Sequence, residues 1–322
     1  MREQEVAIPS AYGLAGILCR PEDARSAPAV LLLGGSGADT RDGDLEPGWP
    51  PGTPDLPAPG TLRRIAHHLA GSGVASLRWD RRGHGASGGK PEESDYSTDL
   101  EDALAALDWL RGQAGRIGVA GHSAGALTAC RVSRESSDVV AAAFLGALAS
   151  PIEDMLRWNL GRIGRHWGEF TEQQRSWLLE NLAAHVVRGE GVERYLAAAR
   201  AGEPVVSLEG HGVTVALRTA RTRQDLATDY EGEFEAVRCP ALVLHGGHDL
   251  NVPVEDALTA YRALRRAGND EVQLTVLPGL DHYFNPVSSD PLWDRVSLEG
   301  LRRPMAREAL ETISGWAVRV LA

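Results

Sequence analysis

The sequence predicts an α/β protein: a doubly wound, mostly parallel sheet interrupted by an inserted helical cap. Three observations lead there. Short apolar runs alternate with longer helical patterns along most of the 322 residues. Most of those runs are apolar without alternation, the mark of strands covered on both faces. One segment, 151–232, carries helical patterns but no convincing core strand.

Taken in order, EVAIP and GLAGILCRP read as a strand pair turning around Tyr12-Gly13. AVLLLGG (29–35), GVASLRWD (73–80), RIGVAG (116–121), VVAAAFLGA (139–147), ALVLHGG (241–247) and EVQLTVLPG (271–279) read as further strands. Helices are expected at 61–71, 97–112, 124–135, 254–268 and 304–321, the second starting on Ser97 with Asp99 and stopping at Gly112. Strand, helix, strand, helix is the pattern of a doubly wound sheet. Residues 38–60, rich in Pro, Gly and Asp, read as a long loop of the kind that is usually functional or mobile. The organisation expected is therefore a core in two parts, 1–150 and 233–322, with a cap at 151–232 carrying Trp158, Trp167 and Trp177.

Composition narrows the class. The apolar fraction of 43% and charged fraction of 24% are those of a globular protein. Lys plus Arg is 33 and Asp plus Glu 44, a formal net charge of −11. Nucleic-acid binders need clustered positive charge, so no nucleic-acid partner is expected. Cys19, Cys130 and Cys239 are odd in number and form no CxxC pair, as expected in a reducing compartment. The N-terminus shows no apolar signal core and no stretch approaches a membrane span, so a cytoplasmic location is expected. A homodimer is compatible with all of this.

The most informative stretch is RIGVAGHSAGALTAC (116–130). Gly121-His122-Ser123-Ala124-Gly125 matches G-x-S-x-G between a strand-like and a helix-like run. That context demands a sharp turn that lifts the serine Oγ above the sheet, with glycines removing the Cβ clashes on both sides. The following helix aims its N-terminal N–H groups at developing negative charge. Ser123 is the expected nucleophile, and it needs a base oriented by a third group. In chain order Asp249 follows the strand ALVLHGG and His282 the strand EVQLTVLPG. Asp154 and Asp281 are the rival acids. An oxyanion hole needs two backbone N–H groups: Ala124 after the nucleophile and, from Gly34-Gly35-Ser36-Gly37, Ser36. A nucleotide reading of GGSG is poor, since that stretch opens neither GxxxxGK[ST] nor GxGxxG.

HGGHD (245–249) first suggests a metal site formed by His245, His248 and Asp249. His245 would still lie in the strand, and adjacent His248 and Asp249 cannot readily both face one ion. No metal and no cofactor are expected.

GGSG, LRWDRRGHGAS (77–87), GHSAG, HGGHDLNVP (245–253) and PGLDHYF (278–284) together resemble the α/β-hydrolase superfamily along most of the chain. More narrowly, GSG-x-x-x-RDG (Gly35 to Gly43), D-x-R-G-x-G-x-S (Asp80 to Ser87) and D-x-x-VP (Asp249 to Pro253) resemble bacterial esterases and acylhydrolases near the dienelactone hydrolases and the serine aminopeptidase-like branch. The resemblance implies an eight-stranded, mostly parallel sheet, a helical cap after strand six, and ester or thioester hydrolysis. It names the same residues, Ser123, Asp249, His282, Ala124 and Ser36. The chain departs at Ala124, where many relatives carry a bulkier or charged residue, and in the Pro/Gly tract at 44–60. Substrate specificity therefore does not carry over.

The expected activity is a serine hydrolase acting on the ester, lactone or thioester of a small acyl substrate. An acyltransferase or cyclising thioesterase, a C–C bond hydrolase and a peptidase would use the same triad, and a non-catalytic relative would be expected to have lost one of its members. An epoxide or haloalkane hydrolase would place Asp at 123. Gly35, Tyr283 beside the base, and Trp158 in the cap are candidate substrate-binding residues. DRRGHG (80–85) reads as a structural loop beneath the site, its glycines supplying positive φ. His122 is expected to pack behind the elbow.

Overall fold

The computed structural model describes residues 1–22, 26–36, 38–44, 58–297 and 299–322. Gly37 and most of the Pro/Gly tract lie outside them. The main sheet holds β1 (Arg2–Ile8), β2 (Leu14–Arg20), β3 (Ala29–Leu33), β4 (Ala75–Trp79), β5 (Ile117–His122), β6 (Val139–Leu145), β9 (Ala241–Gly246) and β10 (Val272–Leu277). Their order across the sheet is β1-β2-β4-β3-β5-β6-β9-β10. The pairs β1–β2 and β2–β4 are antiparallel and the rest parallel, so this is the eight-stranded, mostly parallel sheet expected.

The unalternating apolar runs are explained by two cores, one on each face. Leu31, Leu33, Val119, Phe144 and Val243 meet α2 (Tyr96–Arg111), α3 (Gly125–Glu135) and α9 (Glu255–Arg266). Their neighbours Val30, Leu32, Ala120, Ala143 and Leu242 meet α1 (Thr61–Gly71) and α11 (Arg307–Leu321) on the other face. Side chains alternate across a strand, so both parities must be apolar here. Helix α2 begins one residue earlier than expected, at Tyr96. Asp95 caps it through the Ser97 and Thr98 N–H groups, and Thr98 bonds back to complete a capping box.

Between β6 and β9 the chain forms α4 (Ile152–Arg165), α5 (Glu172–Glu190), α6 (Val192–Ala201), α7 (Ala220–Leu226) and α8 (Tyr230–Glu235). It also forms a hairpin, β7 (Val205–Gly210) with β8 (Val213–Arg218), in a stretch expected to be helical. The signal was present: Val206 and Leu208 are buried between exposed Val205, Ser207 and Glu209. His211 and Gly212 both have positive φ, as a two-residue hairpin turn of the favoured hand requires. A last short helix, α10 (Pro291–Ser297), precedes α11 and was also missed. Trp167 packs against Phe170, and Trp177 against Trp293, in a small core of their own. Among the described residues no helix is long and apolar enough to cross a membrane.

Candidate active site

Strand β5 runs straight into the elbow. Ser123 has φ of 55°, a left-handed conformation that costs a non-glycine residue about 1 kcal/mol or more. The flanking glycines permit it. A Cβ on Gly121 would lie 2.2 Å from the Gly125 carbonyl oxygen, and one on Gly125 would lie 2.5 Å from that of Leu33. Ser123 N–H donates to Leu145 C=O (2.8 Å), and Ala126 N–H to Ser123 C=O (3.0 Å). Ala124 N–H takes part in no hydrogen bond among the described residues, which leaves it available to a developing oxyanion at the head of α3.

Asp249 sits in the turn after β9 and is buried. Its Oδ1 accepts from Asn251 N–H (2.7 Å) and Val252 N–H (2.8 Å); its Oδ2 lies 2.7 Å from His282 Nδ1. Burial alone would raise its pKa. The His282 charge and the hydrogen bonds from His245 and His282 prevail and hold the carboxyl well below its usual range. It is therefore ionised, so His282 Nδ1 must carry the donated hydrogen. His245 was missed as a partner: its Nε2 stands 3.2 Å from the same Oδ2 and 3.2 Å from Val252 C=O, bracing the acid from behind.

His122, expected to pack behind the elbow, is buried beside the base, its ring 4.7 Å from that of His282, and borders the cavity of Ser123. Its Nε2 is 2.9 Å from His282 C=O, and burial, then the facing His282, push its pKa down to about 3. Gly146 passes close by with φ of 58°; a Cβ there would stand 3.2 Å from His282 Nδ1. Of the rival acids, Asp281 turns its Oδ1 to the N–H groups of Tyr283 (2.9 Å) and Asn285 (2.8 Å). Asp154 is exposed on α4 and paired with Arg157 (3.3 Å).

The Gly34–Ser36 turn after β3 lies against the serine. A Cβ on Gly35 would be 2.9 Å from Ser123 Cβ. Arg81 Nη2 donates to Gly35 C=O (3.0 Å), fixing the peptide orientation beside Ser36. This explains DRRGHG as scaffold. Asp80 accepts from Arg41 N–H (2.7 Å) and Ala86 N–H (3.0 Å), Arg82 pairs with Asp102 (2.8 Å), and Gly83 and Gly85 have positive φ.

Ser123, Ala124, Gly35, Ser36, His282 and Tyr283 all line one cavity of about 500 Å³, within the range of small-molecule sites. Trp158 does not. On α4 the cavity-facing residues are Ile152, Met155, Leu156, Asn159 and Leu160, and Trp158, two positions past Leu156, falls on the far side. It stacks on Arg162 instead (4.0 Å). The three residues of HGGHD do not converge either. His248 Nδ1 accepts from Gly279 N–H (3.2 Å) while His245 and Asp249 meet each other. Among the described residues, the trio close enough to hold an ion is Glu3, Cys19 and His67, and there Arg78 already pairs with Glu3 (2.8 Å).

The fold is similar to several solved structures. An esterase from Pyrococcus furiosus superposes with a TM-score of 0.58 at 17% identity, covering 100% of this chain and 92% of its own. Est1E from Butyrivibrio proteoclasticus, with ferulic acid bound, gives 0.59 at 17%, covering 98% and 99%. A proline iminopeptidase-related protein from Thermus thermophilus gives 0.59 at 19%, covering 100% and 99%. A family model described as serine aminopeptidase, S33, matches residues 59–285, a span that holds the elbow, the Asp249 turn and His282. With that match the chain belongs to the serine aminopeptidase (S33) family of hydrolases, within the α/β-hydrolase superfamily.

Proposed function

We propose that the protein hydrolyses a carboxylic ester, lactone or thioester through an acyl-enzyme on Ser123. The observation that carries this is the 2.7 Å contact of His282 Nδ1 with buried, ionised Asp249, beside a strained Ser123 that opens on the same cavity. Ser123 Oγ attacks the carbonyl carbon. His282 Nε2 takes the hydroxyl proton and passes it to the leaving group, while Asp249 fixes the ring tautomer and stabilises the imidazolium. The N–H groups of Ala124 and Ser36 hold the oxyanion. Water, deprotonated by the same imidazole, then releases the acid.

Residues 151–232 act in this reading as a cap. Leu127 and Leu148 of the core cluster with Ile152, Met155 and Leu156 of α4 and line the cavity with them, an apolar wall suited to an acyl chain. An ester is favoured over an aminopeptide because a free α-amino group needs an uncommitted carboxylate. The acids lining the cavity are engaged: Asp44 accepts from Gly60 N–H (2.6 Å), and Asp225 from the hydroxyls of Tyr96 (2.6 Å) and Tyr230 (2.7 Å). The test is direct. A fluorophosphonate probe labels the wild type and not Ser123→Ala, and p-nitrophenyl butyrate hydrolysis is lost with it. Robust hydrolysis by purified Ser123→Ala would sink the mechanism.

A further inference from the structure

We propose that the substrate carries a second, anionic group, and that His185, Arg188 and Arg295 form the subsite receiving it inside the cavity of Ser123. This rests on the hydrolase reading above and extends it to the substrate class. His185 and Arg188 stand one turn apart on α5 and Arg295 on α10, and all three line the cavity. The polar atoms His185 Nε2 and Arg188 Nε are enclosed without a hydrogen-bond partner. Arg188 lies over the Tyr195 ring (5.6 Å), and Arg295 bonds to Asn251 Oδ1. Among the described residues neither arginine meets a carboxylate. Arg162, stacked on Trp158 behind them, also has an unpartnered Nε.

Three other arginines with little exposure do have carboxylate partners. Arg78 meets Glu3 (2.8 Å) and Asp42 (3.1 Å), Arg82 meets Asp102 (2.8 Å), and Arg221 meets Asp99 (3.3 Å). Arg188 and Arg295 are half-buried, and Asp249 and Asp281 act on Arg295 only from beyond ion-pair distance, so an anion placed between the two guanidiniums would be stabilised by both. That positive spot lies inside a protein of net charge −11, where a low-dielectric cleft focuses its field on an entering anion. Burial and the charges of Arg188 and Arg295 keep His185 neutral, a hydrogen-bonding member of the group rather than a third cation. Two guanidinium forks and an imidazole suit a group with several acceptor oxygens, a carboxylate or a phosphate. The substrate is then an ester or thioester whose acyl or leaving part ends in such a group.

The test compares kcat/KM for p-nitrophenyl hemi-adipate, a p-nitrophenyl ester of an ω-phosphorylated hexanoate, and neutral p-nitrophenyl methyl adipate. The wild type should favour one anionic ester over the neutral one by about 10-fold or more, the worth of a charge-assisted hydrogen bond. The preferred ester tells carboxylate from phosphate. Arg188→Gln and Arg295→Lys should each bring the ratio down about 10-fold, while Arg307→Gln, an exposed charge on α11, keeps it. A wild-type ratio near one, or a ratio unchanged in both cavity variants, overturns the proposal. If none of the esters is cleaved, the hydrolase reading fails and the subsite is judged separately. Adipate or inorganic phosphate should then raise the Tm of wild type but not of Arg188→Gln, and no rise overturns the subsite too.

Discussion

Replacing Asp249 by Asn tests the assignment of the acid most sharply, because the structure says how an amide would misfit. Both carboxylate oxygens are accepting: Oδ1 from the N–H groups of Asn251 and Val252, and Oδ2 from His282, with His245 Nε2 beside it. An amide has one acceptor and one donor end. If its oxygen stays on the two backbone N–H groups, its NH2 faces His282 Nδ1, forcing the ring to accept there and carry its proton on Nε2. That tautomer cannot deprotonate Ser123. Flipping the amide restores the tautomer but sets NH2 against two N–H donors, costing roughly 1–3 kcal/mol for each bond lost. Adding the lost charge beside the imidazolium, the barrier should rise by about 5 kcal/mol, or 10³–10⁴-fold in kcat. The assay is p-nitrophenyl butyrate hydrolysis by variants whose thermal unfolding shows them folded. Asp154→Asn should stay near wild type, since Asp154 is exposed and paired with Arg157. Activity of Asp249→Asn within 10-fold of wild type, or an equal loss in Asp281→Asn, would refute the reasoning.

Three further outcomes are expected. Gly35→Ala places a Cβ 2.9 Å from Ser123 Cβ and 3.2 Å from His122 C=O, so it should displace the oxyanion loop and lower kcat about 100-fold; a change under twofold in kcat and in fluorophosphonate labelling rate would contradict this. Asp281 is held up at about pKa 6, chiefly by burial, against about 3.9 when unfolded. Its carboxyl therefore favours the fold fully below about pH 4 and loses that contribution as pH rises through 6. Denaturation of Asp281→Asn should show it more stable than wild type by up to about 3 kcal/mol at pH 8 and no different at pH 4. Hydrolysis should survive dialysis against EDTA, because His245 and Asp249 bond to each other and His248 to Gly279; a loss restored by added zinc would revive the metal reading of HGGHD.

The elbow, the sheet and the Asp249–His282 pair were legible in sequence because each is fixed by local steric demand or by chain order. Gly121 and Gly125 have no room for a Cβ, and strands covered on both faces are apolar at most positions of either parity. What escaped is what only packing decides. Trp158 and Leu156 differ by two positions on one helix, and the cavity lies on Leu156's side. His245 looked like the spent end of a strand, yet four residues on the turn folds Asp249 back against it. Arg188 and Arg295 are 107 residues apart on helices that look like ordinary charged surface, and nothing in either helix alone announces that they line one cavity. The difference has a physical basis. A catalytic elbow must satisfy bond geometry within a few residues, so its motif is short and stereotyped. A specificity pocket needs only charge and volume at a place in space, which helices of many sequences can supply. The wall of the cavity away from the elbow is therefore the part whose chemistry had to be read from the folded chain: two arginines from α5 and α10, without a carboxylate in ion-pair contact among the described residues, lining the same cavity as the serine.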